Sequence, residues 1–562
     1  MAFEIAETGF DPPQVSDHTS VTVNAHIFEA PLCYDYLARP AALRPLTAAA
    51  LPEVSADFRH FVFTLRPGIF FADDPAFGGK PRELVAADYV YTIKRYYDPR
   101  IKTEHLYRFE NAGLLGLGEL RQRALKDKTP FAYDEEVAGL RALDRYRFEL
   151  RLDQASPRFA HVFASPGWTG AVAREVVEAY ADDLMAHPVG TGPFRLAQWR
   201  RASLIVLARN PGFREQVFDS LAPVGDAAAL AAQQHLLGQR LPRLDRVEIA
   251  IVQEAQPRWL AFYGGEHDLL ELPPEFAPLA VPGGTLAPYL ARRGVQAQRV
   301  AAADVAHTFF NGDDPLVGGT APAQVALRRA VALAFDEPRE IRLLMRDQAV
   351  PAQSLIPPPC HGHDPLLRSR DDSGGRLARA RALLDTYGYV DRNGDGYREA
   401  PDGSPLTLRL ASRPDQSARA RNELWRSCMD KVGLRMAFEV AHFGELIRRA
   451  LAGQLMMWGF SWMAGEPDAD FFLGMGYSRN IDQSNDARFR LPAFDRLYEQ
   501  QRSLPDGPQR LALMAQANRL LLAYMPYLPH YHRITTDLLQ PHVRGHVRHP
   551  FRRDVWRFVD LA

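Results

Sequence analysis

Pro188-Val189-Gly190-Thr191-Gly192-Pro193-Phe194-Arg195-Leu196 decides the reading of this chain, together with Leu204-Ile205-Val206-Leu207 and Asn210-Pro211 just beyond it. Two glycines and two prolines stand against the start of one apolar run, and a second run ends on a proline, so the stretch predicts strand, turn, strand. A nucleotide loop is excluded, because neither the GxGxxG nor the GxxxxGK spacing is present and no helix opens after the glycines. The glycines read instead as a tight turn whose backbone only glycine tolerates.

Upstream, Phe61, Phe63 and Leu65 alternate with Val62, Thr64 and Arg66 and stop at Pro67-Gly68, which is the period of a strand. Residues Ala86 to Arg95 read as a helix that ends before Asp98-Pro99. Phe148, Leu150 and Leu152, interleaved with Glu149 and Arg151, read as a strand with one buried and one wet face. Downstream, Leu327, Ala330, Val331, Ala334 and Phe335 recur at helical spacing, and Asp336, with Pro338 beyond it, is placed to cap a second helix through Ile341 and Leu344. Leu406, Leu408 and Leu410 alternate as a strand, and a helix from about Ser417 to Val432 closes on Gly433. Strands and helices alternate throughout without a short repeat, which indicates mixed α/β units and not a solenoid, a propeller or a helical array.

The chain has 562 residues, too many for one hydrophobic core, since single cores stop growing near ~250–300 residues. Hydrophobic residues make up 46% and aromatics 10%, enough apolar surface to offset the entropy of ordering and to exclude disorder. With 67 Lys and Arg against 68 Asp and Glu, the formal charge of -1 provides no global field to recruit nucleic acid or an anionic membrane. No nucleic-acid partner is expected, and a neutral or mixed ligand is favoured. No window approaches the ~18 consecutive apolar residues of a membrane span. Cys33, Cys360 and Cys428 are far apart, odd in number and in no CxxC or zinc pattern, so they read as structural. Met1-Ala2-Phe3-Glu4-Ile5 lacks the basic and apolar regions of a secretory signal.

Four segments, in order, resemble the family-5 extracellular solute-binding proteins, the oligopeptide-, dipeptide- and nickel-binding proteins of ATP-driven importers. The first is Thr64-Leu65-Arg66-Pro67-Gly68-Ile69-Phe70-Phe71 with Ala87-Asp88-Tyr89-Val90-Tyr91-Thr92, and the second is Pro188 to Phe194 with Arg209-Asn210-Pro211. The third is Phe310-Asn311 with Leu327 to Asp336, and the fourth is Gly465-Glu466-Pro467-Asp468 with Asn485 and Pro492-Ala493-Phe494-Asp495. The resemblance implies an α/β, two-lobed periplasmic-binding-protein-like fold of the class II type, with an additional subdomain inserted in the first lobe. On this numbering the first lobe takes residues 1–38, 185–300 and 526–562, the extra subdomain 39–184 and the second lobe 301–525. It also implies a periplasmic, monomeric, non-enzymatic receptor that closes on a solute between its lobes and hands it to the membrane permease of an ABC importer, with no cofactor required. The likeness begins almost at Ala2, where mature members begin, so a leader is expected to have been removed.

Peptide-binding members of that family hold the ligand's α-ammonium with an aspartate four residues before the proline of the acidic-proline pair. Met463 stands there, and a thioether cannot replace a carboxylate as the partner of an ammonium. Ordinary peptides are therefore not expected to be held in that way. Trp458, Phe460 and Trp462 read with Met463 as an apolar shelf for a hydrophobic, ring-containing or cofactor-like solute; the competing reading, strongest for Trp458 and Phe460, is the inward face of a strand. Asp470, Tyr477 and Arg479 are candidates for polar contacts to the solute, and Tyr531 and His532 fall near the expected crossover between the lobes.

Asp391, Asn393 and Asp395, followed by Gly396, resemble the start of an EF-hand loop, a possible structural calcium site with Asp402 where a bidentate glutamate is usual. A plain Asn-Gly-Asp-Gly turn is the competing reading. Cys360, His361, His363 and Asp364 gather soft-metal ligand types behind Pro357-Pro358-Pro359, and His530, His532, His542, His546 and His549 form a second histidine-rich stretch. Either could serve nickel, zinc or haem iron, and either could simply face water. No GxSxG elbow, HExxH motif or phosphate loop is present. Three readings stand: a receptor for an oligopeptide-like or other organic solute, a carrier of a metal chelate or haem-like ligand, and a hydrolase on the same scaffold that no motif supports.

Overall fold

In a computed structural model, described over residues 1–369 and 374–562, the chain divides into two compact units. One comprises Met1–Pro273, Leu286–Gln298 and Asp537–Ala562, and the other Pro274–Thr285 and Arg299–Thr536. Among the described residues no helix is long and apolar enough to cross a membrane.

The principal elements of the first unit are, in chain order, β1 (Ala2–Phe3), α1 (His18–Ile27), β2 (Glu53–Val54), β3 (His60–Thr64), α2 (Ala86–Tyr97), β4 (Leu140–Ala142), β5 (Arg147–Arg151), β6 (Phe194–Arg200), β7 (Leu204–Arg209) and β8 (Arg246–Ile251). One sheet runs β1-β8-β7-β6 and another β2-β3-β5-β4. The expected strand, turn, strand is the β6–β7 hairpin, but the glycines before it act differently from a tight turn. Neither Gly190 nor Gly192 has a positive φ; a Cβ on Gly190 would meet Ile27 O at 2.1 Å, and one on Gly192 would meet His26 O at 2.5 Å. The segment lies against the end of α1, where Gly192 N donates to Ile27 O at 2.8 Å, and Asn210 Nδ2 holds Gly192 O at 3.0 Å. Phe194 thereby enters the core with Phe10, Ile27, Ile205, Leu207, Ile249 and Trp556. Close backbone approach, not handedness, demands glycine here.

Strand β5 departs from its expected two-faced pattern, because Glu149 is buried. Burial opposes its ionisation, but hydrogen bonds from Arg141, His60 and Arg151 outweigh that and hold the carboxyl below its usual range. Asp88 explains the start of α2: its Oδ2 accepts from Val85 N at 2.8 Å while Arg82 grips both oxygens.

The second unit contains β9 (Asp304–Phe310), α3 (Pro322–Ala334), α4 (Glu337–Leu344), β10 (Ala349–Pro351), β11 (Thr407–Ser412), α5 (Gln416–Asp430), β12 (Arg435–Val440), α6 (Phe443–Leu451), β13 (Met457–Met463), α7 (Asp470–Leu473), α8 (Pro492–Ser503), α9 (Pro508–Tyr524) and most of β14 (Tyr527–Leu539). Its sheet runs β10-β14-β9-β13-β11-β12. β9 is antiparallel to both neighbours, whereas β11 is parallel to β12 and β13. Leu327, Val331 and Phe335 with Trp425 and Met429 pack on Leu408, Leu410 and Met457. Each such side chain contributes roughly 1.5–3 kcal/mol on full burial. Asp336 caps α4 as expected, accepting from Arg339 N at 3.0 Å.

The fourth sequence segment is a structural lock. Arg510 of α9, fully buried, meets Asp468 Oδ1 at 2.6 Å and Oδ2 at 2.7 Å, and Asp468 Oδ1 also accepts from Asp470 N at 2.8 Å to start α7. Asn485 donates to Tyr477 O and Phe489 O, both at 2.9 Å, and Asp495 accepts from Ser478 N at 3.0 Å. Removing one charge of a buried pair costs about 3–5 kcal/mol. Asp468→Asn is therefore expected to lower the stability of the chain by about 3 kcal/mol in urea denaturation. Gly192→Ala, which drives a methyl into a main-chain carbonyl, is expected to destabilise it by more than 1 kcal/mol in the same measurement, ~1 being the ceiling for propensity alone, and in the opposite sense to the usual Gly→Ala gain.

Candidate functional site

Alternation along β13 puts Trp458, Phe460 and Trp462 on one face. Opposite them on β9 stand Phe309, His307 and Val305. The rings form a continuous stripe: Trp458 to Phe460 at 4.8 Å and Phe460 to Trp462 at 5.9 Å between centroids. Phe443 at the start of α6 extends it at 5.6 Å from Trp458, and Phe471 of α7 at 5.8 Å from Trp462. His307 packs on Phe460 at 5.1 Å. Trp458 is buried, Phe460 and Trp462 are half-buried, and Phe443 is 50% exposed. The stripe thus runs from the core to the surface and offers ring faces and edges to an apolar partner. Met463, expected on the same shelf, instead alternates to the other face, opposite Asp304, because side chains along a strand point alternately to its two sides, and it is 42% exposed.

The polar end of the stripe is Asp486. Trp462 Nε1 donates to its Oδ2 at 2.9 Å. Desolvation in this buried position pushes its carboxyl up to about 7, against the opposing effect of the Trp462 hydrogen bond. A group that changes charge near neutrality therefore borders the aromatic face.

The other expected contact residues assemble elsewhere in the same unit. Tyr477 donates to Glu499 Oε1 at 2.6 Å, exposed Arg479 lies 3.5 Å from the same atom, and Asp470 accepts from Gln501, so all three gather on α8. Tyr531 is buried and its hydroxyl accepts from Arg421 at 3.4 Å. His532 is buried, its Nδ1 donating to Asp304 O at 2.7 Å. Glu340 Oε2 accepts from His530 Nδ1 at 2.8 Å, and His530 Nε2 lies 2.9 Å from Thr308 Oγ1. That is the bond order of a nucleophilic triad, yet Phe335 and Trp425 seal His530 and all three members are buried.

In the acidic loop, Asp391, Asp395 and Glu399 place carboxylate oxygens within 4.8 Å of one another. Asp402 lies outside that group, its Oδ1 accepting from Ser404 N at 2.9 Å. Asn393 Oδ1 accepts from Asp395 N, and Asp391 accepts from Gly394 N and Gly396 N. The loop is thus organised by its own backbone donors. Cys360 turns its thiol to Glu466 O at 3.9 Å. In the first unit His542 pairs with Asp268 and His546 with Asp537, while His549 accepts from Phe551 N.

Phe443, Phe471, His307 and Asp486 were not singled out from sequence. Asp486 had a signal in its neighbour Asn485 and His307 in its parity with Phe309 beside Phe310-Asn311, whereas nothing local marks Phe443.

The sequence profile described as "Bacterial extracellular solute-binding proteins, family 5 Middle" matches residues 42–484. Di/tripeptide-binding protein 2 of Pseudomonas aeruginosa is 27% identical over 97% of this chain and 92% of its own. The periplasmic binding protein DppA from Helicobacter pylori in complex with peptide STSA superposes with a TM-score of 0.73 at 18% identity, covering 99% of this chain and 96% of that one. NikA from Brucella suis in complex with Fe(III)-EDTA does so at 0.75 and 17%, covering 100% and 99%. These structural likenesses establish the fold.

Because the folded-state value of Asp486 is raised from 3.8 to about 7, the stability its protonation supplies is complete below pH 3.8 and is lost as pH rises through about 7. Asp486→Asn is expected to flatten that part of the stability profile between pH 5 and 8 and to raise stability at pH 8, by at most about 4 kcal/mol. Urea denaturation across this range checks it.

Proposed function

Since the chain belongs to the bacterial extracellular solute-binding proteins of family 5, we propose that it is the receptor of an ABC-type importer for an organic solute with aromatic or apolar surface. The observation that carries this is the stripe of Phe443, Trp458, Phe460, Trp462 and Phe471, which rises from the core to an exposed edge of the second unit. Ring stacking and apolar contact dominate such sites, and a few placed polar groups, here Trp462 Nε1 and Asp486, orient the ligand. The relatives' names and structure titles supply several chemistries, among them small peptides, haem, deoxycholate and a metal chelate. In this reading the protein works as a periplasmic monomer and delivers its solute unchanged to a membrane permease.

By the resemblance, Met463 stands where peptide binders carry an ammonium-holding aspartate, and a thioether there argues against unmodified peptides as ligands. Calorimetry with di- to pentapeptides is expected to show weak binding that N-acetylation leaves unaltered; tight binding lost on acetylation would overturn this part. For the receptor itself, mass spectrometry of solute released from freshly purified protein is expected to find an organic compound with apolar or ring character. Trp462→Ala should then weaken that compound at least about tenfold, or 1.4 kcal/mol. Binding unchanged by Trp462→Ala, or chemical conversion of the compound, sinks the reading.

A further inference from the structure

The second unit contains a cavity outside the aromatic stripe. Its volume is about 270 Å³, and Val350, Gln353, His363, Asp364, Arg368 and His532 are on its wall. Two histidines therefore line one space from different elements, His363 from the loop behind the proline run and His532 from β14.

Both rings are held from behind by main-chain carbonyls. His363 Nδ1 donates to Ile356 O at 2.9 Å, and His532 Nδ1 donates to Asp304 O at 2.7 Å. A carbonyl only accepts, so each ring carries a proton on Nδ1 and, when neutral, a lone pair on Nε2. A carbonyl behind the imidazole is the arrangement that orients histidine ligands of metal ions.

The second observation is an orphan. His532 is 2% exposed, and its Nε2 has no hydrogen-bond partner among the described residues. A buried acceptor left unmade costs roughly 1–3 kcal/mol, which an electrophile or donor in the cavity would recover. The two ring centroids lie 6.5 Å apart with an interplanar angle of 85°. With metal–nitrogen bonds of about 2.0–2.1 Å, a centroid separation of about 6.5 Å is the upper limit for two imidazoles on one ion and is met when they stand trans across it.

We propose that His363 and His532 form a two-imidazole site, in trans coordination, for a divalent transition-metal ion such as Ni²⁺ or Cu²⁺, taken either bare or in a small chelate with open coordination positions. The site shares a sheet face with the aromatic stripe. Ala306 pairs with Tyr531 and Val305 with Trp462, so the antiparallel register sets His532 on the same side as Trp462. The metal site stands on its own geometry and does not need the importer reading.

Calorimetric titration of the purified full chain with Ni²⁺ alone, and separately with Ni²⁺-iminodiacetate, tests it in the wild type, His363→Gln and His532→Gln, with exposed His442→Gln as control. The expected result is one equivalent bound, weakened at least about tenfold by either cavity substitution and unaltered by the control. Binding of the bare ion identifies a free cation as cargo or resident; binding of the chelate alone identifies a chelate-borne metal; both support the site. Absence of one-site binding by either probe, or wild-type affinity in His363→Gln, overturns it. Should circular dichroism show that His532→Gln does not fold, His363→Gln on its partly exposed loop decides alone. Solute release by mass spectrometry reads the importer proposal separately, so the two can fail independently.

Discussion

Seven consecutive residue pairs, from Asp304 with Met463 to Phe310 with Met457, join β9 to β13 in antiparallel register. Because side chains alternate with a period of two, that register alone puts Trp458, Phe460, Trp462 and His307 on one face and sends Gly459 and Ser461 to the other. A slip of one residue would bury Ser461 and turn the rings away. The ladder tolerates no such slip, since Gly459 lies against Thr308, where an added Cβ would come within 2.8 Å of Oγ1. On the other flank of β9, β14 carries His530 into its contact with Thr308 and brings His532 onto the Trp462 side.

Around this ladder the unit is fastened by polar groups that complete each other's hydrogen bonds. Asn311 donates to Gly453 O and Leu455 O, at 2.9 and 3.0 Å, and holds the turn before β13. Arg328 reaches Tyr524 O and Val317 O, tying α3 to the end of α9. Asp468 with Arg510 does the same for the loop that leads into α7. Most buried polar groups in folded proteins are satisfied, and Asn311, Arg328 and Asp468, which made the sequence recognisable, prove to be such fasteners. Between these fasteners lie the ring stripe of β13 and the cavity lined by His363 and His532.

Much of the fold was legible because periodicity reports burial directly. The helices over Ala86–Tyr97 and Gln416–Asp430 and the strand Thr407–Ser412 fall where apolar spacing placed them. Reading failed where a contact distant in sequence reversed a local rule. Glu149 looks like a wet-face residue until His60 and Arg141 are brought beside it, and Gly190 and Gly192 look like turn glycines until the end of α1 is laid along them.

Taken alone, the sequence determined the α/β class, the family and the aromatic composition of the segment 458–463, since composition, spacing and local order are properties of the chain itself. Which aromatic residues line up with Phe443 and Phe471, the raised carboxyl of Asp486 and the meeting of His363 with His532 were decided only by tertiary structure. Each of these depends on desolvation and on neighbours drawn from strands and loops far apart in sequence, and neither quantity exists until the chain has folded.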